Sequence, residues 1–440
     1  MNKRTFLQSL AVTGLAASGV GRALAALPAG SPLPAPDAGG DFWDGIRAGY
    51  DLDPARINLE NGYFCIQPRE VLQAQFEHAR RLNRAGSYML RTEQADEIAR
   101  LRAQLAEFAG CDAGELIITR NTTESLDTVI SGIDWKPGDE AVMAAQDYAS
   151  MLEMFRQEVR RHGIVNRIIS LPLHPGSDEE IVSLYERALS PRTRLLMVCH
   201  MVNVTGQVLP VKKICAMARA HNVPVMVDGA HSFAHLDFRV RDLDCDFFGT
   251  SLHKWLSAPL GLGMLYVRRS RIAAAWPLLG DDGYPRDDVR KLNHTGTHPL
   301  HAMQTIPDAL RFHQRIGSQR KEARLRSLQE YWTSQARKLP GVTLNTPVEP
   351  SRACAIANVA VAGITPTDLA SLLLEKFRIW TVAIDSESTG VRGVRVTPAI
   401  FTSTAELDAL VAALSAIATR HGGQAAKMRR AAGRNQTPGN

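Results

Sequence analysis

Between about residues 115 and 270, short apolar runs alternate with segments of helical spacing, and this alternation leaves few architectures open to the chain. Residues 115–119, 140–144, 167–171, 195–199, 223–227, 247–248 and 263–267 read as strands. Between them, residues 122–133, 149–162, 178–189 and 212–221 carry apolar side chains at helical intervals, as in Leu126, Val129, Ile130 and Ile133. Strands apolar on both faces, separated by helices, predict an α/β fold: a mainly parallel sheet of seven strands covered on both sides.

From about Pro307 the texture changes. A long charged helix is predicted over 311–338, strands over 355–361 and 393–397, and helices over 367–376 and 404–419, which together describe a smaller α+β domain. The expected division is a large domain over 71–306 and a small one over 307–420. An N-terminal segment, 41–70, joins the small domain and the substrate pocket.

The two ends are set apart by charge. The net charge is +6, yet residues 1–25 hold Lys3, Arg4 and Arg22 without an acid, and residues 421–440 hold Lys427, Arg429, Arg430 and Arg434 without an acid. The body between them is close to neutral, which argues against a basic groove for nucleic acid. Lys3-Arg4-Thr5-Phe6-Leu7, a mildly apolar stretch from Leu10 to Leu24, and Ala23-Leu24-Ala25 have the layout of a cleavable export signal over 1–25. Gly14, Gly19 and Gly21 would weaken an ordinary helix there. The Lys-Arg pair followed by Phe-Leu resembles the twin-arginine motif, which implies passage of a folded protein through that translocase to the periplasm. Residues 26–40 read as a Pro/Ala/Gly linker and 421–440 as a disordered tail. No apolar run is long enough to cross a membrane as a helix. The six cysteines lack metal-ligand spacing, so no metal site is expected.

In open α/β sheets, ligands sit beyond the carboxyl ends of the strands. The residues following the predicted strands are Asn121-Thr122-Thr123, then Asp147-Tyr148, then His200 and Asn203, then Asp228 and His231, and finally Ser251, His253 and Lys254. A helix start suited to phosphate, an acid, aromatic and imidazole rings and a single lysine are thus predicted to converge. Lys254 lies between His253 and Trp255 in an apolar, glycine-containing stretch, a poor setting for a solvated lysine.

Val225-Met-Val-Asp228-Gly-Ala-His231 followed by Ser251-Leu-His253-Lys254 resembles the class V aminotransferases, a family of fold-type I pyridoxal phosphate enzymes, over about residues 55–415. The likeness is nearest to members described as isopenicillin-N-epimerase-like. It implies that Lys254 forms the Schiff base with the cofactor. Asp228 would hold the ring nitrogen protonated, with His231 and Asn203 near the phenolic oxygen and Tyr148 stacked on the ring. Thr122, Thr123, Ser251 and His253 would bind the phosphate. The resemblance further implies that Thr297, in Asn293-His-Thr-Gly296-Thr297, reaches the phosphate of a partner subunit in a homodimer. Arg395 would hold a substrate carboxylate, and Asn61 would line the substrate pocket.

The expected reaction is transamination of an amino acid or a metabolite derived from one, with epimerisation or β-elimination as the alternative. Cysteine desulfurases place a nucleophilic cysteine before the carboxylate-binding arginine, and residues 377–395 contain none. A pyridoxal phosphate fold that only binds is a second alternative, which the joint presence of Lys254, Asp228 and Arg395 opposes. A nicotinamide-dependent dehydrogenase would need G-x-G-x-x-G after the first strand, where it is absent.

Overall fold

The computed structural model describes residues 40–434, and side chains over 42–421. The predicted signal and all but the end of the linker lie outside the described residues. Gly40, the linker's last residue, opens the helix Gly40–Arg47.

The N-terminal segment contains β1 (Ile57–Asn58). The central sheet follows with β2 (Leu116–Thr119), β3 (Glu140–Ala144), β4 (Val165–Ile169), β5 (Thr193–Cys199), β6 (Val225–Asp228), β7 (Phe247–Ser251) and β8 (Gly263–Val267). These seven strands lie in the order β2-β8-β7-β6-β5-β3-β4. Only β8 runs against its neighbours, so β2 to β7 point the same way and end on one edge.

Alternation along each strand explains why the sheet needs two layers of helices. Val142, Ala144, Leu196, Val198, Val225 and Val227 belong to one core. Their neighbours Ala141, Met143, Leu195, Met197 and Met226 belong to another on the opposite face. Successive side chains of a strand point to opposite sides, and here both sides are apolar. This is the two-faced α/β sheet that the sequence predicts.

After the sheet come β9 (Val342–Leu344), β10 (Ala357–Val361), β11 (Ile379–Trp380), β12 (Val382–Ser386) and β13 (Val391–Val396). Four of them form an antiparallel sheet in the order β12-β13-β10-β9, and β11 pairs with β1 instead. Its own core gathers Leu328, Trp332, Val359, Leu373, Val394, Leu410 and Leu414. The single helix expected over 311–338 is two, Ile306–Ile316 and Ser318–Ala336. Gly317 separates them at φ 88°, a conformation that interrupts any helix and that glycine adopts without strain. The closing helix runs Thr404–Arg434, well past the predicted end at 419 and into the stretch expected to be a disordered tail. Ala, Gln, Lys, Met and Arg dominate that extension and all favour helix, which outweighs Gly422-Gly423.

Candidate active site

The shared edge of β2 to β7 opens onto a cavity of about 300 Å³ lined by Thr122, Thr123, Tyr148, Asn203, Asp228, His231, Ser251, His253, Lys254 and Arg395. Eight of these ten residues end the strands or come soon after them, and Asn203 and Arg395 complete the set. Asp228 ends β6, and the chain then turns through Gly229, where a Cβ would fall 2.0 Å from the Phe248 ring. Only glycine lets that turn pass over β7, and the turn is what delivers His231 back to the cavity.

Lys254 Nζ lies 3.1 Å from His231 Nε2. Burial lowers the Lys254 pKa to about 8, against the opposing pull of Asp228. Burial likewise keeps the His231 imidazole well below its usual range, reinforced by the Lys254 charge. Asp228 is 3% exposed and accepts a hydrogen bond of 2.9 Å from the Ala230 N–H at Oδ1. Burial raises its pKa, while Ala230 and Lys254 act to keep it ionised. Asp147 lies under the same edge, its Oδ2 accepting from the Ala144 N–H at 2.8 Å. Burial, with Asp228 adding repulsion, pushes Asp147 up to about 8. Close to neutral pH this neighbouring pair therefore carries one negative charge more readily than two.

The helix Thr122–Ser131 starts at the cavity wall, capped by the Asn121 side chain, which accepts from the Glu124 N–H at 2.9 Å. Ser251, ending β7, reaches across to it: its Oγ is 2.9 Å from Thr122 N and 2.7 Å from Thr122 Oγ1. Two hydroxyls and a helix N-terminus are thereby gathered at one point, where the helix dipole favours an anion.

Arg395 enters from β13 and is almost fully buried, but its guanidinium is already engaged. Nε and Nη2 donate to the two oxygens of Glu60 at 3.2 and 2.5 Å, and Nη1 donates to the Asn203 carbonyl at 3.2 Å. Glu60 also accepts from the Tyr63 N–H at 3.0 Å. Sequence reasoning missed Glu60, because its partner lies hundreds of positions away. Two guanidinium N–H groups remain, so a substrate carboxylate has no access to the side-on edge.

Two expected residues are placed elsewhere. Asn61 does not line the cavity: it is fully buried, with its Nδ2 donating to the Thr397 carbonyl at 2.9 Å, and Gly62 and Tyr63 form the wall instead. Its position just after the β1–β11 pair turns it toward β13. Thr297 lies on an exposed turn away from the cavity of its own chain. Tyr148 is at the rim and 41% exposed.

The donor set fits pyridoxal phosphate. Asp228, a buried carboxylate held by one backbone donor and feeling the charge of Lys254, would accept from a protonated ring nitrogen. A lysine whose pKa is lowered to about 8 gives up its proton more readily and suits condensation with an aldehyde, and the Thr122–Ser251 cradle suits a phosphate. Thr122, Thr123, Ser251 and His253 would hold the phosphate, Asp228 the ring nitrogen and Lys254 the aldehyde carbon.

Comparison with known proteins agrees with this geometry. The family model described as aminotransferase class-V matches residues 65–391. An isopenicillin N epimerase from Streptomyces clavuligerus is 30% identical over 400 residues, covering 85% of this chain and 98% of that protein. A cysteine desulfurase from Pectobacterium atrosepticum is 27% identical, covering 69% of this chain and 79% of its own length. Among solved structures, a mutant of C-DES with glycine covalently linked to its pyridoxal phosphate superposes with a TM-score of 0.74 at 25% identity, covering 82% of this chain and 96% of that one. The match extends through both sheets and the lysine cavity between them, so the chain belongs to the class V aminotransferase family, fold-type I enzymes whose cofactor is pyridoxal phosphate.

Proposed function

We propose that this protein transfers the amino group of an amino acid or of a metabolite derived from one. The observation that carries this reading is a single cavity holding a lysine amine whose pKa burial lowers to about 8, a buried carboxylate and a guanidinium at its far wall. Bound pyridoxal phosphate supplies an aldehyde that condenses with amines and a ring that withdraws electrons from the substrate's α-carbon. Lys254 would be the base that removes the α-proton. Asp228 would hold the ring nitrogen protonated. Arg395 meets the substrate carboxylate end-on, with Glu60 fixing its orientation.

Epimerisation is the second reading, favoured by the 30% identical relative of that name. One experiment separates the two. Stoichiometric keto acid released from candidate amino acids without an acceptor supports transamination. Solvent deuterium entering the α-position without keto acid supports epimerisation. Neither, with cofactor bound, supports a protein that only binds.

Sulfur abstraction is opposed by the state of the thiols. Cys199 touches the cavity, but it is 3% exposed and donates to the Met201 carbonyl at 3.0 Å. Burial, with Asp228 and Asp147 close by, holds its pKa well above the usual thiol range. Cys354 is fully buried.

The lysine's ionisation gives a pH test. Cofactor capture needs the free amine, whose fraction rises tenfold per pH unit until the pKa is reached. Capture by stripped protein should climb to about pH 8 and then level, whereas an ordinary lysine at 10.5 would keep climbing. Continued climbing beyond pH 9 would show an unperturbed amine. Glu60 gives a second test. Glu60→Gln should free the side-on edge of Arg395 and tighten binding of an unreactive carboxylate such as succinate by about tenfold. An unchanged Kd by calorimetry would show that Glu60 does not limit the affinity of Arg395 for a carboxylate.

We further propose a homodimer in which residues 293–297 approach the partner's site. Leu260, Trp276, Leu278 and Leu279 are exposed apolar residues suited to such an interface. Light scattering at the monomer mass would exclude it. Export in folded form by the twin-arginine route is proposed on the leader sequence alone.

A further inference from the structure

Trp255 follows the cofactor lysine, yet its side chain does not line the cavity and is 1% exposed. Its indole lies on the His235 ring, with centroids 3.8 Å apart and planes at 38°. His235 is itself anchored, its Nδ1 lying 2.8 Å from the His231 carbonyl oxygen. On the main-chain side, the Trp255 carbonyl accepts from the buried Lys321 ammonium. Held from both sides, the indole places Nε1 3.3 Å from His231 Nδ1.

An indole N–H is a donor and nothing else. The His231 Nδ1 it faces must therefore carry the lone pair. Burial keeps this imidazole uncharged, with Lys254, Arg395, His235 and His253 all acting in the same direction. A neutral ring with a bare Nδ1 has its proton on Nε2, and Nε2 is the atom 3.1 Å from Lys254 Nζ.

We propose that Trp255 is a positioning residue that fixes His231 as the Nε2–H tautomer, so that the cavity side of the ring donates a hydrogen bond instead of accepting one. A donor at this place favours the uncharged lysine amine, whose lone pair can accept. The other tautomer would accept from the ammonium and hold the charge on Lys254. Asp228 also faces Lys254 and favours the charge, so the tautomer opposes it. The proposal rests on the reading of Lys254 as the cofactor amine only for its consequence. The tautomer itself is a property of the chain.

The test uses full-length protein labelled with 15N-histidine, with and without pyridoxal phosphate. His231→Gln identifies the resonances. The expected result is a neutral ring protonated at Nε2 in the native protein, and a mixed or reversed pattern in Trp255→Phe. A native ring protonated at Nδ1, or a pattern unchanged in Trp255→Phe, would overturn the proposal. The native spectrum decides even if the variant fails to fold.

A second readout is the pH midpoint of cofactor capture. Trp255→Phe should raise it by roughly half a unit or more, since a hydrogen bond to a charged group biases ionisation several-fold. In a His231→Phe background the same substitution should do nothing, because a phenyl ring has no tautomer for Trp255 to set. An equal shift in both backgrounds would assign Trp255 a purely structural role. Protein that never takes up cofactor would defeat the functional reading while leaving the spectra to judge the tautomer.

Discussion

Lys254→Ala should yield a folded, colourless protein whose turnover has fallen by roughly five powers of ten, equivalent to about 7 kcal/mol of barrier. Folding should survive because burial disfavours the lysine charge, so truncation removes a group whose ionised form is penalised in the native state. The amine's contacts are local. Nζ faces His231, and the backbone around it is held by hydrogen bonds that the substitution leaves intact, such as Ser257 N–H to the Lys254 carbonyl at 3.0 Å. Circular dichroism and thermal unfolding check the fold, and visible absorbance checks the cofactor. In the native protein, borohydride should fix the cofactor on the one peptide that contains Lys254. Colour retained by the variant, or label found on another peptide, would remove Lys254 from its role.

Asp228→Ala should bind cofactor more weakly and slow α-proton loss by about three powers of ten. The argument is electrostatic. Asp228 is desolvated, accepts from a single backbone N–H and has Lys254 as the charge that favours its ionised form. A protonated ring nitrogen gains most from a carboxylate in such a place, since low local dielectric strengthens the pair. Without it the ring loses its proton and much of its electron-withdrawing power. Solvent deuterium exchange into a bound amino acid measures the step directly. An unchanged exchange rate would show that the ring nitrogen does not rely on this carboxylate.

The central sheet was legible because its strands are apolar on both faces and bounded by turn residues. Residues 140–144 and 263–267 coincide with β3 and β8. The strand expected at 167–171 is β4, Val165–Ile169, two positions earlier. β4 is an edge strand and only partly buried, so its pattern carries little contrast. The helices Arg69–Ala85 and Gln94–Ala109 lie ahead of the strand–helix alternation and were not marked from the sequence. Asp228 and Lys254 were readable because each lies at or just beyond the end of a strand of the same sheet, and the topology brings all such ends to one edge. Glu60 beside Arg395 and Trp255 behind His231 were not readable. Each depends on a side-chain direction set by tertiary packing, and neither leaves a periodicity in the chain.

The main core draws Trp43, Ile46 and Tyr50 from the front of the chain and Ala399, Ile400 and Phe401 from the back. Tyr50 and Phe401 touch ring to ring, their centroids 4.5 Å apart. The whole central sheet lies between these two groups in the chain, so this part of the core closes only when both flanks are present. A premature stop codon shortly before Ala399 would therefore open the hydrophobic interior instead of trimming a dispensable extension.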